Sequence, residues 1–171
     1  DIFLRTLCLV AVTLFFTSAG ASQGEIILAV NTLLMQLFTL FSYVMDGFAY
    51  AGEALSGRYI GARNREAFTD TVRHLFGWGA VIAVLFTLVY ALGGNAFLGL
   101  LTDDKEVIAV ADTYFYWALA VPAVGIAAFI WDGIFIGATA TRGMLLSMAA
   151  AAVSFFILYY GLHPVLANHA L

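Results

Sequence analysis

The sequence has few charged residues and a single cysteine. Only 11% of its 171 residues are charged, whereas 63% are hydrophobic, a balance far more apolar than a soluble domain needs. Because Cys8 has no second cysteine to pair with, an internal disulfide and a metal motif built on paired cysteines are excluded. No glycine-rich phosphate loop precedes a Lys-Ser or Lys-Thr pair, so ATP hydrolysis by this chain is not predicted. The composition indicates a membrane protein.

The charged residues are clustered, and five long uncharged runs lie between the clusters. These runs cover residues 6–24, 26–45, 75–102, 113–131 and 143–171. A bilayer core about 30 Å thick needs about 20 residues of helix to cross it. A membrane β-barrel would instead show short segments of alternating polarity, and a run such as 81–92 does not alternate. The sequence therefore predicts an all-α polytopic membrane protein, with five transmembrane spans at roughly 3–21, 26–57, 73–96, 107–139 and 143–163.

Most of the basic residues fall on one side of these five spans. Arg5, the four arginines within 58–73 and Arg142 share that side, and Lys105 lies on the other. Basic residues that flank membrane helices are retained in the cytoplasm, so the residue 1 side is predicted to be cytoplasmic. The basic turn within 58–73 is expected to attract anionic lipid headgroups, and it needs no nucleic acid to explain it.

Three acidic residues lie within the predicted spans. A charged side chain that faces lipid costs about 2.5 to 3.5 kcal/mol, so Asp46, Glu53 and Asp132 are expected to face protein or water. Along a continuous helix, Asp46 is about 18 Å from Arg58 and Asp132 about 15 Å from Arg142, which predicts mid-membrane depth for both. Either aspartate could take up a proton or bind Na⁺, or it could simply fix packing by a hydrogen bond to a neighbouring helix. Glu53 lies nearer the basic turn, where Arg58 could satisfy it, and a structural role is favoured for this residue.

Two further patterns concern how the spans pack. Small residues four apart allow close approach of helix backbones. They recur as the pairs Gly47 and Ala51, Gly57 and Gly61, and Gly133 and Gly137. Pro122 removes a backbone donor within the fourth span and is expected to bend that helix or open it locally.

Two long segments resemble a known family. The stretch NTLLMQLFTLFSYVMDGFAYAGEALSGRYIGARNRE at 31–66 and the stretch WDGIFIGATATRGMLLSM at 131–148 resemble the carboxyl-terminal lobe of a multidrug and toxic compound extrusion transporter of the DinF-like branch. The resemblance runs through essentially the whole chain. It implies that the five spans correspond to helices seven to eleven of a fold with two six-helix lobes. It also implies that 1–171 is a partial carboxyl-terminal lobe, whose partner is the amino-terminal lobe of the same transporter.

The resemblance implies a secondary antiporter in the bacterial inner membrane. Such a protein exports organic, cationic or amphiphilic compounds by alternating access, driven by H⁺ or Na⁺, and needs no cofactor. In the DinF-like branch the coupling carboxylate lies in the amino-terminal lobe, which this chain lacks. In another branch, acids on helices seven and ten bind the coupling cation. Asp132 resembles the helix-ten acid, which makes a Na⁺ site near it conceivable, but residues 6–24 contain no acid to serve as its partner.

The resemblance also selects polar residues that could line a substrate cavity. In the second span these are Asn31, Gln36 and Tyr43, which could hydrogen-bond or stack on a cationic amphiphile. With Asp46 and Asp132 they form the predicted set of cavity or ion-coupling residues.

Two other classes of membrane protein share some of these sequence features. A membrane-embedded enzyme would need a nucleophile with a base, or a metal cluster, at one depth, and the sequence predicts only isolated carboxylates. A flippase of lipid-linked precursors shares the general architecture and is the alternative. Its cavity should carry several cations to bind pyrophosphate, whereas the arginines here are predicted at the cytoplasmic edge. That distribution favours cationic or neutral substrates.

Overall fold

The computed structural model describes residues 2–166 and, for Asn95 and 162–166, the backbone alone. Within that range the chain forms five helices joined by short turns. They are α1 (Ile2–Ser22), α2 (Glu25–Gly61), α3 (Arg65–Leu101), α4 (Lys105–Gly137) and α5 (Thr141–Leu166). All five are long and apolar enough to cross a membrane. The predicted all-α polytopic fold is confirmed.

The helix boundaries are set by capping of the backbone, and they differ from the boundaries of the apolar runs. The third helix begins at Arg65, eight residues before the predicted span, because the Asn64 side chain accepts a hydrogen bond from the Ala67 amide at 3.1 Å. The fourth helix ends at Gly137 rather than at 139, since the chain turns at Thr139 with a φ of 55°. Polar helical turns therefore extend α3 beyond the apolar stretch that hydropathy detects.

Helices α2, α3 and α4 form a three-helix bundle with a continuous apolar core. The ring of Phe41 on α2 lies 5.4 Å from that of Phe86 on α3 and 6.0 Å from that of Phe129 on α4. Near the middle of the bundle the hydroxyl of Tyr90 donates to the carbonyl of Leu37 at 2.7 Å. Tyr90 is fully buried, and this hydrogen bond lets α3 bury a phenol among hydrocarbon side chains.

Backbone contact joins α2 to α4. A Cβ added at Gly133 would lie 2.7 Å from the Cα of Ala49, and one added at Gly137 would lie 2.9 Å from the carbonyl carbon of Glu53. The predicted close packing at this glycine pair is confirmed. A Cβ added at Gly57 would lie 3.2 Å from the Gly137 carbonyl oxygen. The same prediction is wrong for Gly47 and Gly61, which face open space.

These contacts also set the relative heights of the helices. Ala49 lies beside Gly133 and Glu53 beside Gly137, so α2 and α4 run in the same direction. Helix α2 continues eight residues past Glu53, which is about 12 Å at 1.5 Å per residue. The turn between α2 and α3 therefore projects beyond the turn between α4 and α5.

Helix α1 packs chiefly on α5. The ring of Phe15 lies 4.9 to 6.2 Å from four aromatic rings of α5, those of Phe155, Phe156, Tyr159 and Tyr160. Edge-on and tilted contacts of this kind stabilise the packing beyond the effect of burying the rings. Residues 2–166 thus form an α1–α5 pair and the α2–α3–α4 bundle.

Helix α4 runs without a break through Pro122, which is buried. The missing amide of Pro122 deprives the carbonyl of residue 118 of its usual helical donor. One residue along, the hydroxyl of Thr87 on α3 donates to the carbonyl of Leu119 at 3.4 Å. A threonine from the neighbouring helix thus supports the backbone beside the proline, as in other membrane helices.

Candidate functional site

Helix α2 carries a polar stripe along one face. It comprises Thr32, Gln36, Thr39, Tyr43, Asp46, Tyr50 and Glu53. Successive members are three or four residues apart, so they lie on one side of the helix. The buried residues of α2, among them Leu37, Phe41 and Met45, lie on the other side. The helix is therefore amphipathic over most of its length.

The centre of the polar stripe is exposed. Tyr43 and Tyr50 are 71% and 70% accessible, Gln36 is exposed, and Asp46 is half-buried between the two tyrosines. Within residues 2–166, no hydrogen bond or ion pair engages the side chains of Gln36, Tyr43 or Asp46. Such groups are costly against lipid, so this face requires water or another protein surface.

Asp132 forms an ion pair with Arg5. The Nη2 atom of Arg5 lies 2.6 Å from the Oδ1 atom of Asp132, and the two side chains are 26% and 30% accessible. The distance is that of a charge-assisted hydrogen bond. The pair joins α1 to α4, two helices that otherwise make few contacts with each other. It is a physical tie between the α1–α5 pair and the three-helix bundle.

The continuous helix expected between Asp132 and Arg142 is interrupted by a turn. Asp132 lies five residues before the end of α4 at Gly137, about 8 Å along the helix axis. The sequence estimate of about 15 Å assumed that the helix continued to Arg142, but the chain turns at 138–140 and Arg142 lies in the first turn of α5.

The two aspartates lie at similar heights on neighbouring helices. Asp46 precedes Ala49 by three residues, and the backbone of Ala49 meets Gly133, the residue after Asp132. The ion pair of Arg5 and Asp132 therefore lies within about one helical turn of the level of Asp46. The structure thus brings both predicted aspartates, and a cation that was not predicted, to one level of the chain.

The remaining predicted residues are divided between two environments. Gln36 and Tyr43 lie on the exposed polar stripe. Asn31 is 5% accessible, and a Cβ added at Gly20 of α1 would lie 2.9 Å from its Nδ2 atom. Asn31 therefore packs between α1 and α2, away from the exposed face.

Glu53 does not pair with Arg58. Among the described residues the ion pairs are Arg5 with Asp132 and Arg73 with Asp70. The guanidinium of Arg58 instead lies over the ring of Tyr59, 5.8 Å from its centre. The expectation that Arg58 satisfies Glu53 is therefore wrong, because the Arg58 side chain is directed towards its own neighbour.

Sequence reasoning missed Arg5 and Tyr50. By its position Arg5 resembles a flanking cation, although an aspartate within an apolar span is itself a signal that a cation partner is needed. Tyr50 follows Tyr43 by seven residues and could have been found from that spacing. Within residues 2–166, no three His, Cys, Asp or Glu side chains are grouped as a metal site.

The MatE family model matches residues 2–162. The chain belongs to the MatE family. The resemblance to multidrug and toxic compound extrusion proteins is thereby confirmed, and this is a family of transporters rather than enzymes. No solved structure gives a significant match to this MatE chain.

Three curated relatives show how much of a MatE protein the chain represents. DNA damage-inducible protein F of Escherichia coli (strain K12) is 42% identical over 171 residues, which is 100% of this chain and 37% of that protein. Protein DETOXIFICATION 45, chloroplastic, of Arabidopsis thaliana is 26% identical over 133 residues, 78% of this chain and 24% of the relative. Protein DETOXIFICATION 42 of the same plant is 22% identical over 140 residues, 80% of this chain and 27% of the relative. The chain thus spans less than two fifths of the length of each.

Proposed function

We propose that this chain is part of the carboxyl-terminal lobe of an ion-coupled antiporter that exports organic compounds by alternating access. The observation that carries the proposal is the exposed polar stripe of α2. A stripe with Tyr43, Asp46 and Tyr50 at its centre is unsuited to lipid. It suits the wall of an aqueous cavity closed on its other side by the amino-terminal lobe. The relatives are long enough to contain such a lobe.

The chemistry of the stripe favours cationic or amphiphilic substrates. The carboxylate of Asp46 offers a negative charge, and the exposed rings of Tyr43 and Tyr50 offer aromatic faces to either side of it. A desolvated organic cation gains about 2 kcal/mol or more from one well-placed ring. Substrates of varied shape can share such a surface because exposed side chains can adjust to each substrate.

We propose that Asp132, through its pair with Arg5, contributes to ion coupling alongside the carboxylate that the resemblance implies in the amino-terminal lobe. A proton on Asp132 removes the negative charge that holds the guanidinium, and Na⁺ would compete with Arg5 for the same oxygen atoms. Either event weakens the tie between α1 and α4. The α1–α5 pair then changes its position against the bundle more easily, which biases one access state over the other.

The sidedness proposed is that the ends of α2 and α4 and the start of α1 face the cytoplasm of a bacterial cell. Arg58 and Arg63 lie in the last turn of α2 and in the turn after it, and Arg65 and Arg142 lie at the starts of α3 and α5. Positive residues at such positions are retained in the cytoplasm. Arg5 does not favour the flippase alternative, since Asp132 already neutralises it and leaves it no free charge for a pyrophosphate.

The test is dye efflux from cells that express the full-length transporter. Wild type is compared with Asp132→Asn and Asp46→Asn at matched membrane abundance, with and without Na⁺. Loss of efflux in the Asp132 variant is expected, and dependence on Na⁺ would identify the coupling ion. Export of a neutral dye separates the two roles, because Asp46→Asn should impair cationic dyes alone. Unchanged efflux in both variants would overturn the assignment.

A further inference from the structure

A groove runs between α2 and α3 on the side of the bundle away from α4. It has a volume of about 460 Å³ and is only partly enclosed. Its floor and walls come from apolar side chains, chiefly Phe48, Leu55, Leu75 and Trp78. The groove lies outside the polar stripe and has no part in the transport mechanism proposed above.

The groove changes from apolar to polar along the helix axis. Phe48 and Trp78 line one end, while Tyr59 and Asp70 line the other. From Phe48 to Tyr59 is eleven residues, which is about 16 Å of helix. The polar end lies towards the turn between α2 and α3, where Arg63 and Arg65 are exposed. A gradient of this kind matches a phospholipid, whose acyl chains lie in the bilayer and whose headgroup lies at its surface.

Charges of both signs lie at or beside the polar end. The Asp70 side chain lines the groove and is 58% accessible. Arg73 lies just outside the lining, with its side chain 78% accessible and its nearest guanidinium nitrogen 4.0 Å from the Asp70 carboxylate. The Nδ1 atom of His74 donates to the Asp70 carbonyl at 2.7 Å, because a carbonyl oxygen can only accept. When the ring is neutral, Nε2 is then an acceptor in addition to the Asp70 carboxylate.

We propose that this groove binds a zwitterionic phospholipid with a primary amine, namely phosphatidylethanolamine. Its ammonium group donates hydrogen bonds to the Asp70 carboxylate and the His74 ring, and its phosphate pairs with Arg73. Its acyl chains lie along Trp78 and Phe48. The assignment to the cytoplasmic leaflet rests on the sidedness proposed above, whereas the binding itself does not.

The charges also exclude the two other common headgroups. Phosphatidylcholine has a quaternary nitrogen with no N–H to donate, so it leaves the acceptors on Asp70 and His74 unmatched. Phosphatidylglycerol has no cation at all and places its negative charge near the Asp70 carboxylate. The basic turn alone would favour the anionic lipid. A preference for phosphatidylethanolamine would therefore indicate binding in the groove, whereas a preference for phosphatidylglycerol would indicate attraction to the basic turn.

Quenching of Trp78 fluorescence by lipids with brominated acyl chains tests this proposal. The full-length transporter is reconstituted in bilayers, and the signal of Trp78 is taken as the difference between wild type and Trp78→Phe. Brominated phosphatidylethanolamine should bind beside Trp78 about two to five times more tightly than brominated phosphatidylcholine or phosphatidylglycerol, as expected for an exposed charge pair.

Two variants test whether the lipid preference depends on the Asp70 carboxylate itself or on any carboxylate of α3. Asp70→Asn should abolish the preference for phosphatidylethanolamine. Glu66→Gln removes an exposed carboxylate from the same helix outside the groove and should retain the preference. Both positions are exposed, and thermal unfolding verifies that the variants fold. Equal binding of the three lipids, strongest binding of phosphatidylglycerol, or an unchanged preference in Asp70→Asn would each overturn the proposal. Efflux is not measured, so the result is independent of the transport hypothesis.

Discussion

Gly133 of α4 lies directly against the backbone of Ala49 in α2, and a methyl group at Gly133 would overlap the Ala49 Cα and carbonyl. The overlap is with backbone, which cannot rotate away as a side chain can. Only glycine therefore permits α2 and α4 to approach this closely. The contact lies beside Asp132 and one turn from Asp46, so it also sets the relative position of the two candidate carboxylates.

Gly133→Ala should therefore destabilise the protein by about 1 to 3 kcal/mol, the usual effect of overpacking. The measurement is the free energy of unfolding of the full-length protein in mixed micelles. Gly47→Ala is the matched control, since Gly47 is in the same bundle and nothing lies within 4 Å of an added Cβ. The control should be neutral or stabilising by about 0.5 to 1 kcal/mol, because alanine favours the helix. Equal effects of the two changes would contradict the backbone contact.

The Arg5 and Asp132 charges should depend on each other for stability. Asp132→Asn leaves the Arg5 guanidinium without its carboxylate and should lower the free energy of unfolding. Breaking an exposed ion pair costs about 1 kcal/mol and breaking a buried one about 3 to 5 kcal/mol, and the loss should lie between these values. Adding Arg5→Gln should recover part of that loss. A double-mutant cycle on unfolding should give a coupling of about 0.5 to 3 kcal/mol.

The pair of Asp70 and Arg73 supplies the comparison for that cycle. Its atoms are 4.0 Å apart and both side chains are largely exposed, so its coupling should be close to zero. A second check exchanges the charges in Arg5→Asp with Asp132→Arg, which should restore stability relative to either single change. Strictly additive effects at Arg5 and Asp132 would show that the ion pair contributes nothing.

The tyrosines of the polar stripe should determine the affinity for cationic substrates. Tyr43→Leu and Tyr50→Leu each remove an exposed aromatic face, with an expected loss of about 0.5 to 2 kcal/mol in the binding of an organic cation. The measurement is KM for a cationic and a neutral dye in proteoliposomes. Tyr160→Leu on α5 is the control, since Tyr160 is similarly exposed at 68%. A loss that is the same for both dyes, or that also occurs in the control, would argue against a cation-binding face.

Asp104 should stabilise the start of α4. Its carboxylate accepts from the amides of Glu106 and Val107 at 2.9 and 3.3 Å. Asp104→Ala should cost about 1 kcal/mol, as for other N-cap residues. Amide exchange at Glu106 and Val107 should become faster in the same variant. Asp103→Ala removes the neighbouring exposed carboxylate, which makes no such contact, and should leave both quantities unchanged.

Much of the fold could be predicted from the sequence because membrane helices are local features. A run of about 20 apolar residues predicts a span wherever it occurs, and the five runs correspond to the five helices. The start of α3 could not be predicted from hydropathy, since the cap at Asn64 adds two polar turns. The Gly133 and Gly137 pair could be predicted because the four-residue spacing itself suits close packing.

The candidate site was predicted only in part. Gln36, Tyr43 and Asp46 lie together on α2, where helical periodicity alone places them on one face. Asn31 has the same polarity, yet it lies on the buried side against Gly20. The pairing of Asp132 could not be predicted, because several arginines were available and only the packing of α1 against the bundle selects Arg5.

The sequence by itself determined that this is a five-helix membrane chain with its basic residues biased to one side. These properties follow from apolar length and from charge counts, and both are sums over neighbouring residues. The tertiary structure alone decided that Arg5 neutralises Asp132, that the α2 stripe is left exposed, and that α2 and α4 touch at Ala49 and Gly133. Each of these features depends on contacts between residues far apart in the chain. Such contacts are set by the packing of whole helix faces rather than by any local sequence pattern.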